Sequence, residues 1–218
     1  MMKSLRDYEN IMELFAPQSQ ICLNRSPEAA ARQSKEKMKF IAEQSEMILF
    51  DTCATVHPQF FPTMEHLLPI LQKQGRPAYV CVSTVKELKK IVDNPGKQEA
   101  VRQRAEAVLH QLVKWEMAGQ VRILGKRGDR VFADPKLINQ VALLRHRVDA
   151  ILVVTNDYKL SDDLLAQQVP DSGTIRTVQI NRYGYFSNIP TPSRRVVRIK
   201  PKLNDADSRP GADAWTNL

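Results

Sequence analysis

Four acidic residues of this chain fall where strands give way to helices. Asp51 closes the apolar run MILF (47–50), and Glu87 lies in VSTVKEL (82–88). Asp134 lies at the start of ADPKLINQVALL (133–144), and Asp157 follows the strand-like run AILVVT (150–155) by two residues. A charge that ends a buried strand is costly to desolvate without donors or a cation nearby, so Asp51 is the least ordinary of the four. Each of the others also has a structural reading. Glu87 stands three residues after Thr84, the spacing of a capping box; Asp134 before Pro135 suits an N-cap; Asp157 suits a turn. Converging on one cleft, four carboxylates would raise one another's pKa values unless divalent cations lay between them. Hard oxygen ligands of this kind suit Mg²⁺ or Mn²⁺ rather than zinc.

The elements that must position these acids are legible in the apolar spacing. Residues 1–46 read as a helical extension, with Ser26, Pro27 and Glu28 as a helix start. MILF has strand length, and FPTMEHLLPILQKQG has helical spacing with Gly75 as its stop. AYVCVS (78–83) predicts a second strand, with a helix starting at Thr84. A long helix follows, with Val101, Ala105, Val108, Leu112 and Trp115 near one face, ending at Gly119. VRIL (121–124) is a third strand, and Asp134 and Pro135 start the next helix. AILVVT (150–155) is a fourth strand, a helix begins near Ser161, and TIRTVQI (174–180) is a weak fifth strand. Continuous apolar strands separated by helices indicate an α/β sandwich with a mostly parallel sheet covered on both faces. Sites in such sheets form at the carboxyl ends of the strands.

Composition narrows the partners. With 32 Lys and Arg against 24 Asp and Glu, the chain carries +8, which suits a polyanion as well as simple solubility. Between Arg176 and Lys202 there are basic residues at 176, 182, 194, 195, 198, 200 and 202 and no acid. Within NRYGYFSN (181–188), Tyr183, Tyr185 and Phe186 stand beside Arg182, as stacking surfaces for single-stranded nucleic acid or as packing for the last strand. The polar end NDADSRPGADAWTNL is expected to be disordered. No stretch approaches the roughly 20 apolar residues of a membrane helix, and the N-terminus lacks the apolar segment of a secretory signal. A cytoplasmic protein with no membrane partner is expected. Cys22, Cys53 and Cys81 read as buried thiols in a reducing compartment, and the four histidines are scattered, so no zinc signature is present.

The segments ILFDTCA (48–54), VSTVKEL (82–88), ADPKLINQVALL (133–144) and ILVVTNDYKL (151–160) resemble those of the PIN-domain nucleases. The resemblance spans about residues 47 to 180. It implies a PIN-like three-layer α/β/α sandwich with a central mostly parallel sheet, flanked by the 1–46 extension and a basic, aromatic and then disordered tail at 181–218. It further implies that Asp51, Glu87, Asp134 and Asp157 are both the catalytic residues and the ligands of Mg²⁺ or Mn²⁺, with Thr155 and Asn156 supporting them. Asp149 is a rival for the third acid, and Asp162 and Asp163 read as an ordinary helix start. The activity implied is a metal-dependent endoribonuclease that leaves a 5′-phosphate and a 3′-hydroxyl, with RNA favoured over DNA. Arg182, Tyr183, Arg194, Arg195, Arg198 and Lys200 would then contact the nucleic acid, and a protein inhibitor or a homo-oligomer is compatible with the family. The alternative is a catalytically inactive PIN-like module that binds nucleic acid or protein. A phosphohydrolase with Asp51 as nucleophile would want a second acid at position 53, which is Cys53.

Overall fold

A strand whose side chains are apolar on both sides must be covered on both faces, and β1 (Met47–Phe50) shows how this chain does it. Ile48 and Phe50 enter one core, while Leu49 enters another across the sheet. β4 (Ala150–Val154) repeats the alternation, with Leu152 and Val154 on the first side and Ile151 and Val153 on the second. The computed structural model describes residues 27–125 and 133–189, and the side chains of Pro27, Ala133 and Asp134 fall outside that description. Cys22, Arg194, Arg195, Arg198, Lys200 and the expected disordered end also lie outside the described residues.

The sheet has six strands in the order β3-β2-β1-β4-β5-β6. Besides β1 and β4 these are β2 (Ala78–Cys81), β3 (Val121–Leu124), β5 (Thr174–Ile180) and β6 (Phe186–Ser187). The first five run parallel, and β6 returns antiparallel on β5. Helices α1 (Pro27–Gln44), α3 (Phe60–Lys73), α4 (Val82–Asp93) and α5 (Glu99–Met117) supply the first core. Helices α6 (Ala133–Leu144) and α7 (Tyr158–Leu165) supply the second, and α2 (Thr52–Thr55) is a single turn after β1. The fold is therefore α/β with a mostly parallel central sheet and helices on both faces, compatible with a three-layer sandwich. No described helix is long and apolar enough to cross a membrane.

Aromatic packing ties α3 and α5 to β1. The Phe60 ring meets Phe50 edge-on at 5.5 Å and Trp115 at 6.0 Å, and Phe50 and Phe60 are fully buried. Burial of each such ring contributes about 1.5–3 kcal/mol. Ala105, Val108, Leu112 and Trp115 form the buried face of α5, as their spacing implies. Gly75 follows α3 at a φ of 66°, the left-handed conformation that lets a helix end sharply.

Several boundaries differ from the sequence reading. β2 ends at Cys81 and α4 already starts at Val82, so Val82 and Ser83 are helical rather than extended. α7 starts at Tyr158 instead of near Ser161, because Asp157 caps it, which puts Asp162 and Asp163 mid-helix and exposed. α6 starts at Ala133, so Asp134 lies in its first turn rather than before it. α2 and β6 were not anticipated, one being a single turn and the other two residues long. Met38, Ile41 and Ala42 of α1 and Phe186 of β6 pack into the same core as β1, so the sheet's apolar cover extends past residues 47–180 at both ends. Cys53 is exposed, in contrast to the buried thiol expected, while Cys81 is buried.

The approach to β5 is tight. A Cβ built on Gly173 would fall on the carbonyl oxygen of Val148, and the Gly173 N–H already donates to Arg145 O at 2.8 Å. Gly173→Ala must displace backbone, and a loss of about 1–3 kcal/mol or more is expected in urea unfolding. An unchanged midpoint would show that the loop before β5 yields freely.

Candidate active site

The chain runs from β1 outward to β2 and β3, then crosses back to β4 on the other side of β1. The strand order reverses between β1 and β4, and in open parallel sheets the crevice at that switch point is where ligands bind. Asp51 and Thr155 are the residues that leave these two strands. Phe50 pairs with Val154, and the Asp51 N–H donates to Val154 O at 3.0 Å, so the two residues stand on adjacent rungs.

Asp51 is 2% exposed, and its carboxylate is held by the backbone that follows it. The N–H groups of Thr52 and Cys53 donate to its two oxygens at 2.5 and 3.2 Å, making Asp51 the N-cap of α2. The Thr155 hydroxyl, fully buried, donates to Asp51 Oδ2 at 3.0 Å. The same Thr155 oxygen accepts from the Asp157 N–H at 3.0 Å. On the other flank, Thr52 Oγ1 donates to Glu87 Oε2 at 2.6 Å. Two threonines therefore connect three carboxylate residues in one series: Glu87, Thr52, Asp51, Thr155, Asp157.

Glu87 does not form the capping box that its spacing suggested. With α4 starting at Val82, Thr84 is inside the first turn and buried, and Glu87 reaches across to Thr52 instead. Asp157 does cap, accepting from Lys159 N at 2.8 Å and Leu160 N at 3.1 Å, both at Oδ1. Neither Glu87 nor Asp157 is in an ion pair with a described lysine or arginine. Thr52 was missed by sequence reasoning, because its part depends on where α4 stands relative to α2.

Asn156 faces elsewhere. Its Nδ2 donates to Ile180 O at 3.2 Å, and its Oδ1 accepts from Ile180 N at 3.3 Å, so it extends the pairing of β4 with β5 and does not touch the acids. That bond fixes the carboxyl end of β5, where the turn to β6 carries Arg182 and Tyr183. Arg182 lies over the Tyr183 ring at 4.7 Å from its centroid, and Arg182 is exposed. Tyr185 stacks on His66 at 4.7 Å and Phe186 is buried, so those two aromatics pack the last strand. Asp149 is exposed just before β4, at the opposite end of the sheet from Asp51.

Two further groups mark the electrostatics of this end. The Arg104 Nε donates to Val56 O at 2.9 Å, and His57 is held below its ordinary pKa by burial and then by Arg104. Burial first, and the Asp51 carboxylate second, push the Cys81 thiol up to about 11. Among the described residues no three acidic, histidine or cysteine side chains stand close enough to hold a metal ion. The Asp134 side chain is outside that set. The carboxylates and hydroxyls present are donors that fit a hard cation such as Mg²⁺ or Mn²⁺. No protein-family model matches this chain, and no curated protein matches it.

Thr155→Val keeps the volume but removes the hydroxyl, leaving the Asp157 N–H and one bond of the buried Asp51 oxygen unmet. A destabilisation of about 1–3 kcal/mol is expected in urea unfolding, and an unchanged midpoint would refute the bridging role. The raised Cys81 pKa generates a second expectation. Its contribution to stability is complete below the ordinary value of 9.0 and is lost as pH climbs through about 11. Asp51→Asn retains a capping oxygen but removes the charge, so the Cys81 pKa should fall while burial keeps it above the ordinary range. Thiolate absorbance in a chain with Cys22→Ser and Cys53→Ser reads this directly, and a titration indifferent to Asp51 would break the coupling.

Proposed function

We propose that this chain is a metal-dependent nuclease of the PIN type, most simply an endoribonuclease. The observation that carries this reading is the series from Glu87 through Asp51 to Asp157, gathered at the switch point of a parallel sheet. Hydroxyls bond to the Glu87 and Asp51 carboxylates and to the Asp157 backbone N–H, and neither Glu87 nor Asp157 is in an ion pair among the described residues, which supports a centre that would take divalent cations rather than surface salt bridges.

Asp51, Glu87 and Asp157 would hold Mg²⁺ or Mn²⁺, with Asp134 joining from the first turn of α6. The metal supplies an activated water and offsets the charge that develops on the phosphoryl group. The protein's own part is orientation. Thr155 ties Asp51 to the Asp157 backbone, and Thr52 ties Glu87 to the start of α2, so the three segments that carry the acids would be held in one crevice when substrate arrives. Arg182 and Tyr183, at the carboxyl end of β5, flank the acids with a cation and a ring, the pairing that single strands favour. The expected roles of Arg194, Arg195, Arg198 and Lys200 belong to the same reading and concern residues outside the description.

A second reading has its own observation. Asp51 and Asp157 both cap helices, which is sufficient reason for an acid at each position in a non-catalytic module that binds nucleic acid or protein.

Purified protein should cut end-labelled single-stranded RNA in Mg²⁺ or Mn²⁺ and not in EDTA, with DNA cut less. Asp51→Asn and Asp157→Asn, which keep capping oxygens, are expected to lose about 10²-fold or more of the rate. Binding without metal-dependent cleavage, equal in wild type and variants, would select the second reading.

A further inference from the structure

On the β3 side of the acids, the carboxyl ends of β2 and β3 and the flank of α6 enclose a cavity of about 160 Å³. That is well below the roughly 300–1,000 Å³ of sites that take a whole drug-sized ligand, and suits one planar ring system. Its polar lining comes from Ser83, Lys136, Asn139 and Gln140, and its apolar walls from Val82, Leu124 and Leu143.

The cavity adjoins the acids directly. Cys81 lines it, and Cys81 is the residue of β2 on the rung beside Asp51, since Phe50 pairs with Val80. Neighbouring strands lie about 4.8 Å apart, so Cys81, which lines the cavity, stands one strand spacing from Asp51.

We propose that this cavity is a nucleobase subsite that prefers adenine and seats a base of a single strand beside the acidic cluster. The inference rests on the nucleic-acid reading above and adds base selectivity to it. Asn139 and Gln140 are consecutive on α6, and each amide offers a donor and an acceptor side by side. Adenine presents the complementary pair, an exocyclic N–H next to a ring nitrogen, and Asn and Gln are its usual partners. Lys136, one turn earlier on the same helix, is placed for the linking phosphate, and the leucines offer apolar contact to the base faces. A strand seated here would cross the acids at β1 and β4 and reach Arg182 and Tyr183 at β5.

The test is equilibrium binding of fluorescein-labelled oligo(A), oligo(U) and oligo(C) RNA to the full chain in EDTA, read by anisotropy. Wild type should bind oligo(A) about tenfold more tightly than oligo(U) or oligo(C). The double variant Asn139→Ala, Gln140→Ala should lose that tenfold on oligo(A) and keep its affinity for oligo(U), with circular dichroism confirming the fold. Equal affinity for all three, or a loss shared by all three in the variant, overturns the subsite. Cleavage of a mixed-sequence RNA in Mn²⁺, run in parallel, separates the two ideas: cutting without adenine preference removes the subsite and leaves the nuclease. Adenine preference without cutting keeps the subsite and removes the nuclease, and absence of any binding in EDTA removes the subsite while the cleavage arm decides the nuclease.

Discussion

Burying the Asp51 carboxylate at the end of β1 requires donors on every side, and much of the local architecture follows from supplying them. An ionised carboxyl at 2% exposure has lost nearly all its water. The backbone answers by turning at once into α2, so that two N–H groups point back at the oxygens. The sheet answers by ending the adjacent strand in threonine, whose hydroxyl reaches the remaining side. Valine at 155 would fit the same rung and the same β preference, yet it would bring no donor. Thr155 is therefore explained by the charge next to it, and the opening of α7 two residues later is held by the same oxygen.

Strand order turns this local solution into a site. Because β1 and β4 are neighbours although Phe50 and its register partner Val154 are 104 positions apart, acids of two distant segments share one crevice. The helices that follow β1 and β4 pack on opposite faces of the sheet, α3 on one and α7 on the other, which opens a crevice between them. The edge positions are then available for recognition. On one flank the exposed Arg182 and its ring partner sit on a turn pinned by Asn156, and on the other α6 presents its amides.

What could be read from sequence was what depends on short range. MILF, VRIL and TIRTVQI form strands with the bounds read for them, MILF because a continuous apolar run of that length has few other uses in a covered parallel sheet, and TIRTVQI because it is rich in β-branched residues. The buried face of α5 follows its periodicity in the same way. Starts of helices were less legible. The β-branched Val82 and the small Ser83 extend a strand pattern, but the chain bends into α4 before them, and only tertiary packing decides that. Glu87 illustrates the consequence for the site. Its spacing from Thr84 was local information and pointed to a cap, whereas its actual donor, Thr52, lies 35 positions away. The return of β6 was hidden for another reason: two residues of strand carry no period at all.

Capping and chemistry need not compete for the same acid. A carboxylate has two oxygens and about four acceptor positions, and a helix start uses one or two of them. At Asp157 both N–H bonds fall on Oδ1, and Oδ2 accepts none from the described residues. At Glu87 the hydroxyl bond falls on Oε2 alone. At Asp157 the cap thus fixes the rotamer of the acid through one oxygen and leaves the other without a bond from the described residues. Rotamer freedom that would otherwise be lost on ligand binding is removed when the chain folds. An acid that caps a helix through one oxygen, as Asp157 does, is for that reason better ordered toward any ligand that reaches its other oxygen than an unconstrained acid would be.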